Sequence, residues 1–143
     1  MTIKIKLLDV RGKPSRGSDE AAGLDVRACI DAPITVEAHS TALIPLGFAM
    51  QLERGHGAFL LPRSGLGSKH GIVLGNMVGL VDSDFTGEVH ASLWNRSLTD
   101  YVVQPGERIA QMVVVPVLMD DVEVVDELDV TSRGAGGFGS SGK

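Results

Sequence analysis

Pro62-Arg63-Ser64-Gly65-Leu66-Gly67-Ser68-Lys69-His70-Gly71 is the densest polar and glycine-rich segment in the interior of this chain. Arg63 offers a bidentate guanidinium fork to phosphate and Ser64 a hydroxyl, while Gly65 and Gly67 let backbone N–H groups approach an anion closely. A helix opening here would aim its positive end the same way. The plain alternative is a turn with a surface helix. Gly79-Leu80-Val81-Asp82-Ser83-Asp84-Phe85-Thr86-Gly87-Glu88 reads as a hairpin carrying three carboxylates. If the stretch is extended, Asp82 and Asp84 share a face, so one could activate a water as general base and the other hold Mg²⁺ through waters. Asp-Ser-Asp also suits a solvated turn, because both side chains bond locally to the backbone.

Two further polar residues stand in apolar surroundings. Asp25, within Ala21–Ala28, is costly inside a strand unless paired, and Arg27 lies two residues on, on the same strand face. An ion pair there is compatible with a metal role. Asn76 lies among apolar residues; its amide could read the donor and acceptor edge of a polar base, or satisfy a neighbouring backbone group.

The elements that must position these groups are strands. Ile3, Ile5 and Leu7 alternate with Lys4 and Lys6, the pattern of a half-buried strand. Similar runs follow at 24–30, 34–36, 41–46, 48–52, 58–61, 72–73, 88–93, 101–103, 109–117 and 122–125. Turn clusters such as Arg11-Gly12-Lys13-Pro14 and Gln104-Pro105-Gly106 separate them. Many short strands at regular spacing predict an all-β, jelly-roll-like β-barrel or sandwich. Ser64–His70 predicts one short helix, entered after Pro62 and closed by Gly71.

Composition sets outer limits. The 143 residues fit one domain, 43% hydrophobic and 22% charged, with enough apolar material for a core. The net charge of −5 argues against a nucleic-acid binder, which carries a basic field, but leaves room for a local phosphate site. The single cysteine, Cys29, allows no internal disulfide and no cysteine zinc site, and fits a reducing compartment. The first residues lack the apolar core of a signal peptide, and no apolar run approaches the ~20 residues of a membrane helix. A cytoplasmic protein without membrane association is expected.

The 18 glycines are nearly double the usual share of about 7%. Five of them fall in Arg133-Gly134-Ala135-Gly136-Gly137-Phe138-Gly139-Ser140-Ser141-Gly142-Lys143. The composition predicts a flexible Gly-rich C-terminal tail, 133–143, following a domain of residues 1–132. Its Arg and Phe admit a second reading, an arm that closes over a ligand with the ring stacking and backbone N–H groups meeting phosphates. Gly137 to Lys143 matches the front of a phosphate-binding P-loop, but the motif requires a Ser or Thr after the Lys and a helix beyond, so it is rejected.

In this order the segments Ala21–Ala28, Pro62–Gly71, Gly79–Glu88, Pro105–Met112 and Arg133–Gly142 resemble the five motifs of the trimeric dUTP pyrophosphatase family, covering nearly the whole chain. The resemblance implies a jelly-roll fold and hydrolysis of dUTP to dUMP and pyrophosphate with Mg²⁺, by water attacking the α-phosphorus. Carried over by position, Asp82 is the base that activates the water, and Asp25 helps hold the hydrated Mg²⁺. Arg63, Ser64, Gly65 and Gln111 contact phosphates. Asn76 and the backbone of Gly79, Leu80, Val81 and Asp82 read uracil, with His90 contributing through its backbone. Arg133 acts on phosphate and Phe138 stacks on the base. Phe85 replaces the family's usual Tyr, which sits under the deoxyribose. The resemblance also implies a homotrimer with shared active sites, each closed by a tail from another subunit.

Two other readings share the features. A dCTP deaminase, alone or combined with pyrophosphate removal, uses the same fold, but Pro62–Gly71 and Asp82-Ser83-Asp84-Phe85 follow the hydrolase pattern. A trimeric nucleotide sensor would keep the pocket without turnover, which the presence of Asp82, Ser64 and Arg133 disfavours. A structural trimer without ligand would need no tail of this composition.

Overall fold

Alternation decides the faces. In β9 (Glu88–Asn95) Val89, Ala91, Leu93 and Asn95 are buried, while Glu88, His90, Ser92 and Trp94 face outward. The computed structural model describes residues 2–137 and contains ten further strands. They are β1 (Lys4–Leu7), β2 (Ser15–Arg16), β3 (Leu24–Arg27), β4 (Ile34–Val36), β5 (Thr41–Gln51), β6 (His56–Pro62), β7 (Ile72–Leu74), β8 (Gly79–Val81), β10 (Tyr101–Val103) and β11 (Arg108–Pro116). One sheet runs β1-β5-β9-β7, another β2-β3-β11-β6-β8, and β10 pairs with β4. Pairings are antiparallel throughout. The sheets stay open at their edges, so sandwich rather than closed barrel describes this jelly-roll-like all-β fold. Val26, Ile44, Leu46, Phe48, Leu93, Ile109 and Met112 belong to one core to which both large sheets contribute.

Four expectations need correction. The runs 41–46 and 48–52 are one strand, β5, kinked by a bulge: its register against β9 jumps from Pro45↔His90 to Ala49↔Glu88. Gly47 sits at that bulge with φ +72, and a Cβ there would lie 2.5 Å from Cys29 Sγ. Left-handed backbone and close approach together require glycine. The segment 79–88 is not a hairpin. β8 pairs with β6 and β9 with β5 and β7, so 82–87 carries the chain from one sheet to the other. The run 122–125 forms no strand; Val122 and Val124 stand more than nine-tenths exposed, since an alternating segment becomes a strand only beside a partner. The stretch from residue 24 stays in a ladder only to Arg27.

α1 spans Ser64–His70, as the punctuation predicts. Leu66 is its buried anchor, and Gly71 ends it in the left-handed conformation, its N–H donating to Leu66 O. Asn95 is the one buried polar side chain among the described residues. Its amide donates to Val36 O and Thr99 O and accepts from Ser97 N and Oγ, fixing the exit from β9.

Candidate active site

The predicted residues fall into two clusters. The first forms where β6 runs into α1 beside β3 and β11. Asp25 and Gln111 are register partners, and β11 also pairs Ala110 with Pro62, which brings Arg63 alongside. Arg63 Nε lies 3.2 Å from Asp25 Oδ1 and Arg108 Nη1 lies 3.1 Å from Oδ2; the Asp25 side chain is only 15% exposed. Arg63 Nη1 also donates to Arg108 O, and Gln111 Nε2 to Pro62 O. The expected Asp25–Arg27 pair is absent. Arg27 donates to Gly106 O instead, because a ladder neighbour reaches the carboxylate more directly than a residue on the same strand.

Two guanidinium groups on one carboxylate leave a net charge of +1, and each keeps N–H donors unspent, the arrangement that binds phosphate. Ser64 is exposed at the start of α1, and the space over Gly65 is open to 4 Å. Arg108 is a residue that sequence reasoning left without a role. Its signal was present, a permanent cation three residues before Gln111 in a quoted motif, but only the β3–β11 register reveals the carboxylate it faces.

Behind this cluster the turn before β11 is held firmly. Tyr101 OH donates to Glu107 Oε1, and Glu107 Oε2 accepts from Gln104 N. Burial, then the Glu107 hydrogen bond, push the Tyr101 phenol up to about 12. Ala28 N donates to Glu107 O and Gly106 N to Ala28 O, fastening the turn to the end of β3.

The second cluster lies beyond the other end of β8. Leu80, Val81, Asp82, Phe85 and His90, with Leu43, Glu88 and Val89, surround a cavity of about 320 Å³. Asp82 also borders a groove of about 760 Å³ with Arg54, His56, Asp84 and Met119. Asp82 is exposed, and its carboxylate has no hydrogen-bond or ion-pair partner among the described residues. Its carbonyl accepts from Phe85 N in a turn, so residues 82–84 are not extended and the premise that put Asp82 and Asp84 on one face fails. Asn76 is exposed in the turn before β8 rather than enclosed by apolar residues; its amide stands close to buried Gly79.

The two clusters do not meet within one chain. Val81 pairs with Ala58 and Ala110 with Pro62, so Asp82 lies beside Gly57 while Arg63 is six residues away along β6. At about 3.3 Å per residue this is about 20 Å. Arg133 bonds within its own segment, Nε donating to Gly136 O at 2.8 Å, and has no hydrogen bond to either cluster among the described residues. Phe138 lies outside the described residues.

Comparison with known proteins identifies the family and supports the fold. The dUTPase family profile matches residues 12–142. The deoxyuridine 5'-triphosphate nucleotidohydrolase of Janthinobacterium sp. (strain Marseille) is 52% identical over 146 residues, covering 99% of this chain and 98% of that protein. The structure of Staphylococcus bacteriophage 80alpha dUTPase with dUPNHPP superposes with a TM-score of 0.90 at 27% identity, over 99% of both chains. A mutant dUTPase from phage phi11 of S. aureus, described as coordinating a structural Mg(II) ion, shares the fold with a TM-score of 0.82 at 21% identity, over 91% of this chain and all of that one.

Proposed function

The chain belongs to the dUTPase family, and from that premise, with hydrolysis of dUTP to dUMP as its activity, we propose how its residues divide the work. Asp82 is the base. A water attacks the α-phosphorus, its proton passes to the Asp82 carboxylate, and the bond from that phosphorus to the oxygen bridging to the β-phosphorus breaks, releasing pyrophosphate. Phosphoryl transfer of this kind depends chiefly on positioning and charge neutralisation. Arg63, Ser64, Gly65 and Gln111 hold the phosphates, and Arg108 joins them. Asn76 and the backbone from Gly79 to Asp82, with that of His90, read uracil, and Phe85 packs on the deoxyribose. Residues 133–143 act as an arm on the domain 1–132, with Arg133 meeting phosphate and Phe138 the base.

A Mg²⁺ ion, when bound, offsets charge on the triphosphate oxygens. Asp25 suits a hydrated ion held through water, since two carboxylate oxygens carry about four lone-pair sites and the arginines occupy two. Within one chain, no group of three His, Cys, Asp or Glu converges among the described residues to cage it directly.

The separation along β6 supports sites shared between copies of the chain, and the family resemblance makes the assembly a homotrimer. An Asp82 about 20 Å from Arg63 of its own chain cannot activate a water at a phosphate that Arg63 holds, whereas Asp82 of a second copy can. The exposed apolar residues Leu118, Val122, Val124 and Leu128 add a surface that a neighbouring copy would cover. The cytoplasm is the proposed site of action, and no helix among the described residues is long and apolar enough to cross a membrane.

The observation that carries the reading is Asp82, a carboxylate unpaired among the described residues, on a turn that opens onto a cavity with Phe85 and His90. Asp82→Asn is expected to lower pyrophosphate release from dUTP by about 10²-fold or more, the scale of a lost general base, while nucleotide affinity stays within a few fold. Full turnover in that variant, or ammonia released from dCTP by the unsubstituted protein, would overturn it.

A further inference from the structure

Glu88 lines the cavity shared by Asp82, Phe85 and His90, yet the division of work above gives it no part. It opens β9 with His90 two residues on, so both point to the same face of the strand. The β5 bulge lies directly opposite. Three residues of β5, Leu46 to Phe48, face the single residue Val89 between the Pro45↔His90 and Ala49↔Glu88 pairs, and the ladder loses its regular bonds there. The bulge is secured on both sides. Gly47 O accepts from Leu8 N and Asp9 N, and Gly47 N donates to Glu88 Oε1 at 3.3 Å.

The second oxygen of that carboxylate faces the cavity wall. Glu88 Oε2 lies 3.9 Å from His90 Nε2, and His90 Nδ1 lies 3.1 Å from the Glu88 carbonyl. The imidazole is therefore bracketed by the backbone and side chain of one residue, and both side chains remain about one-third exposed. The Nδ1 contact to the Glu88 carbonyl orients the ring, and the carboxylate packed against its Nε2 edge limits how far the ring can swing about that contact; without the carboxylate that limit is lost.

We propose that Glu88 is a positioning residue for the nucleotide pocket. Anchored on the Gly47 N–H of the β5 bulge, its carboxylate holds the His90 ring as a fixed wall beside Asp82 and Phe85, and so governs how tightly the nucleoside end of the substrate is held. The proposal rests on the assignment of this cavity to that end of dUTP. It concerns binding rather than the chemical step, because among the described residues the Glu88 side chain meets Gly47 and His90 but neither the phosphate cluster nor the Asp82 carboxylate.

The test is steady-state kinetics on dUTP for Glu88→Ala, Glu88→Gln, His90→Ala and the double variant, with thermal melting to confirm folding. Glu88→Ala is expected to raise KM about five-fold with kcat within two-fold, a split that general loss of structure would not produce. Glu88→Gln keeps one oxygen to accept from Gly47 N–H and turns an NH₂ of the same shape toward His90, and should bring KM back to within two-fold. In the double variant the Glu88 substitution should add nothing to His90→Ala, since its effect passes through that ring. Unchanged KM in a folded Glu88→Ala, or additive effects in the cycle, would overturn the role. If Glu88→Ala melts below the assay temperature, Glu88→Asp replaces it: one methylene shorter, it cannot meet Gly47 and His90 together, and an unchanged KM overturns the role equally. Absence of dUTP turnover in the unsubstituted protein would instead overturn the hydrolase reading, and the role of Glu88 with it.

Discussion

Phe85 keeps an aromatic ring where the resembling family usually has Tyr, and 45% of it is exposed at the edge of the Asp82 cavity. The ring packs back over Gly87, where a Cβ would meet Phe85 Cζ at 2.8 Å, so its plane is set by the chain itself. If Phe85 packs on the deoxyribose as proposed, discrimination by its ring is steric: a 2′-hydroxyl must either displace the ring or lose a hydrogen bond on entering an apolar contact. UTP is therefore expected to be hydrolysed more than about ten-fold less efficiently than dUTP, measured as kcat/KM for the two nucleotides under one set of conditions. Comparable values would show that the phenolic oxygen missing at Phe85 was the discriminating group. At this scale the sequence was informative about residue types and poor about partners. Asp25 announced that it needed a cation, but Arg27 was the wrong one, and the true partners Arg63 and Arg108 lie 38 and 83 residues downstream.

Strands carry the site by acting as rulers. β6 has β8 on one side and β11 on the other, and these two pairings alone place Asp82 and Arg63 at opposite ends. β11 in turn is indexed by the turn before it, held by Glu107 between Tyr101 and the backbone of Gln104. Tyr101 is the only tyrosine in the chain, so its ionisation can be followed directly by phenolate absorbance. In the folded protein it should titrate near 12, and Glu107→Gln should lower that value while leaving it above the ordinary 10, because burial is the larger cause. The sign for stability follows. Below pH 10 the phenol is protonated in both states; between 10 and about 12 only the unfolded chain ionises, so stability falls across that window. A midpoint near 10 in the folded protein would show that the Tyr101–Glu107 bond does not hold this turn. Punctuation made α1 legible, with Pro62 before it and Gly71 after. The segments 79–88 and 122–125 were misread for a shared reason: periodicity states that a strand wants a face, not where its neighbour is.

At the scale of the molecule, one chain holds two separate clusters of candidate residues. If a working site takes Asp82 from one copy and Arg63 from another, two inactive variants should rescue each other. Asp82→Asn and Arg63→Ala, unfolded and refolded together in equal amounts, are expected to regain about a quarter of the unsubstituted turnover, since random assembly unites an intact Asp82 with an intact Arg63 at about one site in four. No recovery from mixed assemblies would mean that both residues serve a site within one chain.

The sequence by itself determined the class of fold, the short helix and the chemical vocabulary of the site, because alternation, Gly and Pro punctuation and residue type are local properties. The tertiary structure decided which cations meet Asp25, that Gly79–Val81 pairs with Ala58–Leu60, that Glu88 reaches across to the Gly47 bulge, and that Asp82 stands apart from Arg63. Each of these depends on strand register between segments distant in the chain. Register is set by the packing of all the faces at once, and no local pattern contains it.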